Sequence, residues 1–262
     1  MNSSSRPLAL VTGASSGIGI EIARELAQSG HDLVLSARRV ERMETLAAEL
    51  RARGATVTVI GADLSRPRAA TALVGELAAR GFAIDVLINN AGLGAQGGFD
   101  RQNETRVSEM LQVNIVALTE LTRLLLPAMV ARGRGRIMLV ASVAAFQPGP
   151  RMAVYFASKA YVLSFGEALA YELRKTGVTV SVLCPGATAT EFFAVAGADK
   201  SIMAQKFRRM MPADTVARMG VAGLARGRPV VVAGLMNRIM TWAGRYTPHW
   251  LTLAVTDKLM AD

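Results

Sequence analysis

The chain has 262 residues, 51% hydrophobic and 19% charged, enough apolar material to bury a full core and too little charge for a disordered chain. Its 24 glycines and 9 prolines lack a triplet period, which excludes collagen-like classes, and its one cysteine, Cys184, excludes a disulfide framework. The net charge is +10, but with 5% aromatic residues and no zinc-finger or RNA-binding signature no nucleic-acid partner is expected.

Residues 1–6 read as a flexible polar start without the basic-then-apolar layout of a signal peptide. Apolar runs such as 229–236 fall short of the roughly 18 residues that a spanning helix needs. A cytoplasmic location is the expectation. From there, short β-rich runs alternate with longer amphipathic ones. The pattern predicts strands over 8–12, 32–36, 56–60, 84–88, 136–141, 178–183 and 230–233, and helices over 17–29, 40–53, 66–80, 104–132 and 155–176. Gly30, Gly54, Gly81, Gly133 and Gly177 mark helix ends. The alternation implies an α/β domain over 1–262, a parallel sheet of about seven strands covered by helices on both faces, with ligands at the carboxyl ends of the strands.

After the first strand comes Thr12-Gly13-Ala14-Ser15-Ser16-Gly17-Ile18-Gly19, a glycine-rich turn opening a helix. Glycines let the backbone turn tightly and approach phosphates, which the positive helix N-terminus attracts. The same residues match the G-x-S-x-G elbow of serine hydrolases, with Ser15 as nucleophile. Against that, only twelve residues precede Gly13 and His249 lacks an acidic partner pattern. At the end of the second strand an NAD enzyme should carry a carboxylate for the ribose. Here Ala37 and Arg38 stand instead, followed by Arg39, and a guanidinium fork suits the 2′-phosphate of NADP.

Asp63 follows the third strand and Asn89-Asn90-Ala91-Gly92 the fourth; Asp63 could also cap a helix, and the asparagines could close a turn. Ser142 follows the fifth strand. Tyr155 and Lys159 share one helical face. A tyrosine with a pKa of about 10 exchanges protons poorly near neutrality, and an adjacent ammonium would favour its phenolate while Ser142 held a substrate oxygen. Two histidines, His31 and His249, leave too few ligands for a metal site, so none is expected.

Together, Thr12 to Gly19, Asn89 to Gly92, Asn114, Ser142, Tyr155, Lys159 and Pro185-Gly186 closely resemble the short-chain dehydrogenase/reductase family, over about 7–193. The resemblance implies a Rossmann fold and hydride transfer between NADP(H) and a carbonyl or alcohol substrate. It implies Tyr155 as general acid/base, Lys159 tuning it and holding the nicotinamide ribose, Ser142 orienting substrate, and Asn114 supporting a water-linked proton relay. Cofactor contacts would come from Gly13, Ser15, Ser16, Gly17, Ile18, Gly19, Arg38, Asp63, Leu64, Asn90, Ala91, Gly92, Tyr155, Lys159, Pro185, Gly186, Thr188 and Thr190. A homodimer or homotetramer is the family habit. The alternative in a different class is an NADP-binding regulator or scaffold without turnover.

By the same resemblance, residues 187–215 form a substrate lid and 216–262 the last strand and helices. Phe192, Phe193 and Phe207, with Phe146 and Gln147, are the expected substrate contacts, and Lys200, Lys206, Arg208 and Arg209 are interleaved. An apolar carbonyl substrate, with an acidic tail, is the expectation. From 196 to 262 there are ten Lys/Arg against four Asp/Glu, +6 of the total. Trp242, Tyr246 and Trp250 stand there among Arg238 and Arg245, a mixture suited either to peripheral membrane contact or to a subunit-interface or sheet-covering helix.

Overall fold

A computed structural model describes residues 6–198, 210–244 and 246–261. Its strands are β1 (Leu8–Thr12), β2 (Asp32–Ala37), β3 (Val57–Gly61), β4 (Val86–Asn89), β5 (Gly135–Val140), β6 (Val178–Cys184) and β7 (Val230–Val232). They form one seven-stranded sheet in the order β3-β2-β1-β4-β5-β6-β7, and every neighbouring pair is parallel. The strand order reverses between β1 and β4, where a crevice opens beyond the carboxyl ends.

Alternate side chains of the same strands feed two cores. Leu10, Leu87, Ile137 and Leu139 pack on one face against Met110, Leu121 and Val162, while Val11, Ile88 and Met138 pack on the other against Ile22, Leu26 and Val216. Burial on both faces explains why the strands read as nearly continuous apolar runs. The helices are α1 (Gly17–Gln28), α2 (Val40–Ala52), α3 (Ala69–Ala79), α4 (Glu104–Leu111), α5 (Leu118–Ala131), α6 (Ala153–Glu172), α7 (Phe192–Val195), α8 (Ala213–Ala225), α9 (Leu235–Gly244) and α10 (His249–Leu259).

Three helices differ from the periodicity. The one predicted over 155–176 stops at Glu172, where a turn closed by Thr176 N to Leu173 O at 2.9 Å leads on to Gly177. Helix α3 starts at Ala69 and not at 66, because Arg68, just after Pro67, adopts a left-handed φ of 62°. The predicted helix over 104–132 is split by a π-helical turn, Gln112–Ala117, that contains Asn114. The whole stretch Glu104–Ala131 is long and apolar enough to cross a membrane, but it lies on the sheet through Met110, Leu121 and Met129.

One hydroxyl joins the two strands at the reversal. Thr12 Oγ1 donates to Ile88 O at 3.1 Å and accepts from Asn90 N at 3.0 Å and Ala91 N at 3.1 Å, and Asn90 Nδ2 donates back to Thr12 O at 2.9 Å. Thr12→Val keeps the shape but strands the Ala91 N–H and leaves the Asn90 N–H only Ile88 O, at 3.1 Å. It is expected to lower the unfolding free energy by about 1–3 kcal/mol in denaturant titration; an unchanged midpoint would contradict this role.

Candidate active site

The crevice is a cleft of about 430 Å³ running along the carboxyl ends of the central strands. Gly13, Ser15, Ser16, Gly17 and Ile18 form its wall after β1. A Cβ on Gly13 would lie 2.8 Å from Asn90 Nδ2 and 2.9 Å from Ala91 Cα, and Gly13 and Gly17 have φ of 66° and 54°, so the turn demands glycine twice over. The first turn of α1 carries no acidic residue, and the Ser16 side chain does not cap it. Its backbone N–H groups and positive dipole end are left for an anion. Gly19 lies behind the turn, where a Cβ would run into Gly13 O and Asn90 Nδ2; it packs the turn and is not part of the cleft wall.

At the far end Ala37, Arg38, Arg39, Asp63 and Leu64 line the cleft. Burial alone would raise the Asp63 carboxyl, but the Ser65 hydroxyl and amide, helped by Arg38, hold it below its usual range. Arg39 Nε donates to Ser15 Oγ at 3.4 Å and Arg39 Nη1 to Glu191 at 3.0 Å, while Arg42 Nη1 reaches the other Glu191 oxygen at 2.7 Å. Ser15 therefore meets a guanidinium, and no histidine lines the cleft among the described residues; the serine hydrolase reading has no base to work with.

Tyr155 and Lys159, one turn apart on α6, are both buried at the cleft floor. Lys159 Nζ donates to Val140 O at 2.8 Å and lies 5.8 Å from the Tyr155 ring centroid. Ser142 caps a short 3₁₀ turn by accepting from Ala144 N at 3.1 Å, and it hydrogen-bonds the Tyr155 hydroxyl. Burial pushes Tyr155 up to about 12, with the Ser142 hydrogen bond pulling the other way. Burial also brings Lys159 down to about 8. In the protein by itself desolvation therefore dominates Tyr155, where the sequence led us to expect the ammonium to lower it. Buried among apolar neighbours, the Cys184 thiol is likewise pushed up to about 12 and stays protonated.

Asn114 stands behind the cleft. It receives Leu93 N at 2.8 Å and donates to Leu93 O and Ser158 Oγ, each at 2.9 Å; Ser158 Oγ then donates to Tyr155 O at 2.7 Å. Both amide protons are used, which leaves a relay water only one lone pair on Oδ1. The chain of bonds positions α6 against the loop after β4. A π turn puts the asparagine there, a common use of such bulges.

Most expected residues meet in this cleft: Asn90, Ala91, Gly92, Pro185, Gly186, Thr188 and Thr190 line it, as do Gln147, Phe192 and Phe193. The Phe192 ring lies 5.1 Å from that of Tyr155 and forms a wall for whatever enters. Phe146 does not join them; it lines a separate, shallower groove with Val230, Val232 and Trp242, because the 3₁₀ turn after Ser142 directs it to the sheet edge. Phe207 lies outside the described residues, as do Lys200, Lys206, Arg208, Arg209 and Arg245. Sequence reasoning missed Met240, Thr256, Leu259 and Met260, which α9, α10 and the turn after them bring to the cleft. The last helix is tied down by Gln96 Nε2 to Met260 O at 3.0 Å, Gln147 Nε2 to Thr256 Oγ1 at 3.3 Å and Arg151 Nε to Asp257 at 2.8 Å.

The family model for short chain dehydrogenase matches residues 7–201. Ketoacyl reductase HetN from Nostoc sp. is 32% identical over 91% of this chain and 84% of its own. A short-chain dehydrogenase from Sphingobium yanoikuyae, solved in complex with NADPH, is 37% identical with a TM-score of 0.82 over 92% of this chain and 93% of that one. A short chain dehydrogenase/reductase from Burkholderia phymatum, solved with NAD, is 26% identical with a TM-score of 0.81 over 92% and 94%.

The buried ammonium sets a pH dependence. Lys159 ordinarily titrates at 10.5 and in the fold at about 8, so between these values the unfolded chain holds more protons and stability rises with pH. Below pH 8 the full penalty is present. Lys159→Met should raise the unfolding free energy at pH 7 by about 3 kcal/mol or less and flatten the rise. Tyr155, raised above its ordinary 10.0, makes stability fall only above that pH. Identical pH profiles for the variant and the parent in denaturant titrations would refute the assignment.

Proposed function

The chain belongs to the short-chain dehydrogenase/reductase family, and from that premise we propose that it reduces an apolar ketone with NADPH. The observation that carries this reading is the buried Tyr155–Lys159 pair beside Ser142 under the Phe192 ring. The glycine turn and uncapped start of α1 fit a pyrophosphate, and Ala37, Arg38 and Arg39 fit the extra phosphate of NADP. The complex of the Sphingobium relative with NADPH supports that choice, while the Burkholderia relative binds NAD. NADPH, when bound, supplies the hydride.

Each residue then has a local task. Arg38 holds the 2′-phosphate, and Asp63 and Leu64 receive the adenine end. Val140 O occupies one of the three Lys159 protons, which leaves two to hold ribose hydroxyls. Pro185, Gly186, Thr188 and Thr190 bound the nicotinamide end. The Ser142 hydroxyl orients the substrate oxygen and Tyr155 Oη gives it a proton as negative charge develops there. A tyrosine raised to about 12 is protonated at neutral pH, the form that reduction needs. The Lys159 ammonium steadies the phenolate that remains. Asn114 and Ser158 are positioning residues. Phe192 and Phe193, with Met240, Leu259 and Met260, make the substrate end apolar, and the activity named for the Nostoc relative supports a ketone on an acyl chain. A homodimer or homotetramer in the cytoplasm completes the reading.

NADPH oxidation over ketones graded in length tests it. Tyr155→Phe should lower turnover about a hundred- to ten-thousandfold with a far smaller loss of NADPH affinity, about tenfold or less. Tight NADPH binding without turnover on any ketone would favour a regulator. Separately, Arg38→Ala should weaken NADPH about 10- to 100-fold and leave NADH nearly unaffected; equal losses for both cofactors would remove Arg38 from the phosphate site.

A further inference from the structure

Helix α9 is amphipathic but turned inside out. Asn237 and Thr241, one turn apart, face the body of the protein: a Cβ on Gly186 would meet the Asn237 amide, and Asn237 Nδ2 donates to Ala233 O at 2.6 Å. The apolar arc points the other way. Leu235 is 70% exposed, Met236 67%, Trp242 65%, Tyr246 74% and Trp250 71%. Ordinary surface helices bury such an arc, and apolar patches of this kind mark interaction sites.

The charge around the patch selects the partner. Among the described residues from 226 on there are four Lys/Arg, Arg226, Arg228, Arg238 and Lys258, and one acid, Asp257, which is paired with Arg151 at 2.8 Å. Arg238 and Lys258 are exposed on the two helices themselves, with Glu167 the one acid lining the adjoining groove among the described residues. A second copy placed on this face by a twofold axis would bring two copies of the same cation-bearing surface together. An anionic bilayer surface instead attracts the cations and takes up the apolar arc, and Trp and Tyr are the side chains that favour the headgroup level. The Trp242 and Tyr246 rings, 5.2 Å apart, form such a pair.

We propose that the face built by α9 and α10 docks peripherally on anionic lipid, held by the exposed arc of Leu235, Met236, Ile239, Trp242 and Trp250 and by Arg238 and Lys258. The chain has two tryptophans, Trp242 and Trp250, and both lie on this face, so their emission reports docking directly and without any turnover. Full-length protein should pellet with vesicles of equal parts phosphatidylserine and phosphatidylcholine at low salt, with a blue shift of tryptophan emission. It should release in high salt and ignore pure phosphatidylcholine. The double variant Met236→Ser, Ile239→Ser should keep its melting temperature and lose lipid affinity by about tenfold or more. Absence of pelleting and shift in the parent would overturn the proposal. So would a variant that binds lipid as the parent does while falling apart from oligomer to monomer in light scattering, which would assign the face to a second copy.

Discussion

An ammonium ion out of reach of water costs stability unless oxygens surround it, and the site is arranged around that demand at Lys159. Val140 O at the end of β5 takes one proton. Gly92 keeps the other side open, since a Cβ there would approach Nζ to 3.3 Å. The lysine is thus held in a place where it lowers stability at neutral pH, and the two donors it has left are what a polyhydroxyl ligand can use. Strain of this kind at a binding site is bought with the packing of the sheet beneath it.

The sheet supplies that packing, and its reversal supplies the opening. β1 and β4 are pinned by the Thr12 hydroxyl, so the glycine turn after one and the Asn90 loop after the other face each other across a gap. Asn114 then links the β4 loop to α6 through Ser158. One line of hydrogen bonds, joined by the backbone from Ala91 to Leu93, therefore runs from the glycine turn to the tyrosine. At one end the cleft meets Arg38 and the positive end of the α1 dipole, with Arg39 held by Glu191, while the other end is walled by Phe192 and the methionines. A ligand that is anionic at one end and apolar at the other meets matching surfaces at both.

Much of this was legible before the structure because it is encoded locally. The glycine turn is a contiguous string, Tyr155 and Lys159 are one helical turn apart, and strands buried on both faces announce themselves as apolar runs. What the sequence hid is long-range or rotational. Met240, Thr256, Leu259 and Met260 reach the cleft only through the docking of α9 and α10, and no local pattern encodes that. The π turn at Asn114 is a slip within a helix, invisible to a 3.6-residue period. Phe146 follows Ser142 by four residues yet serves another groove, since a 3₁₀ turn rotates differently from an α-helix. The pairing of Arg39 and Arg42 with Glu191 spans about 150 positions, beyond any motif.

The tethers that hold α10 to Gln96, Gln147 and Arg151 carry more than they would in a well-packed helix, because α10 itself buries Thr256 alone. One wall of the cleft therefore rests on three side-chain bonds more than on packing, and its firmness is separate from that of the sheet.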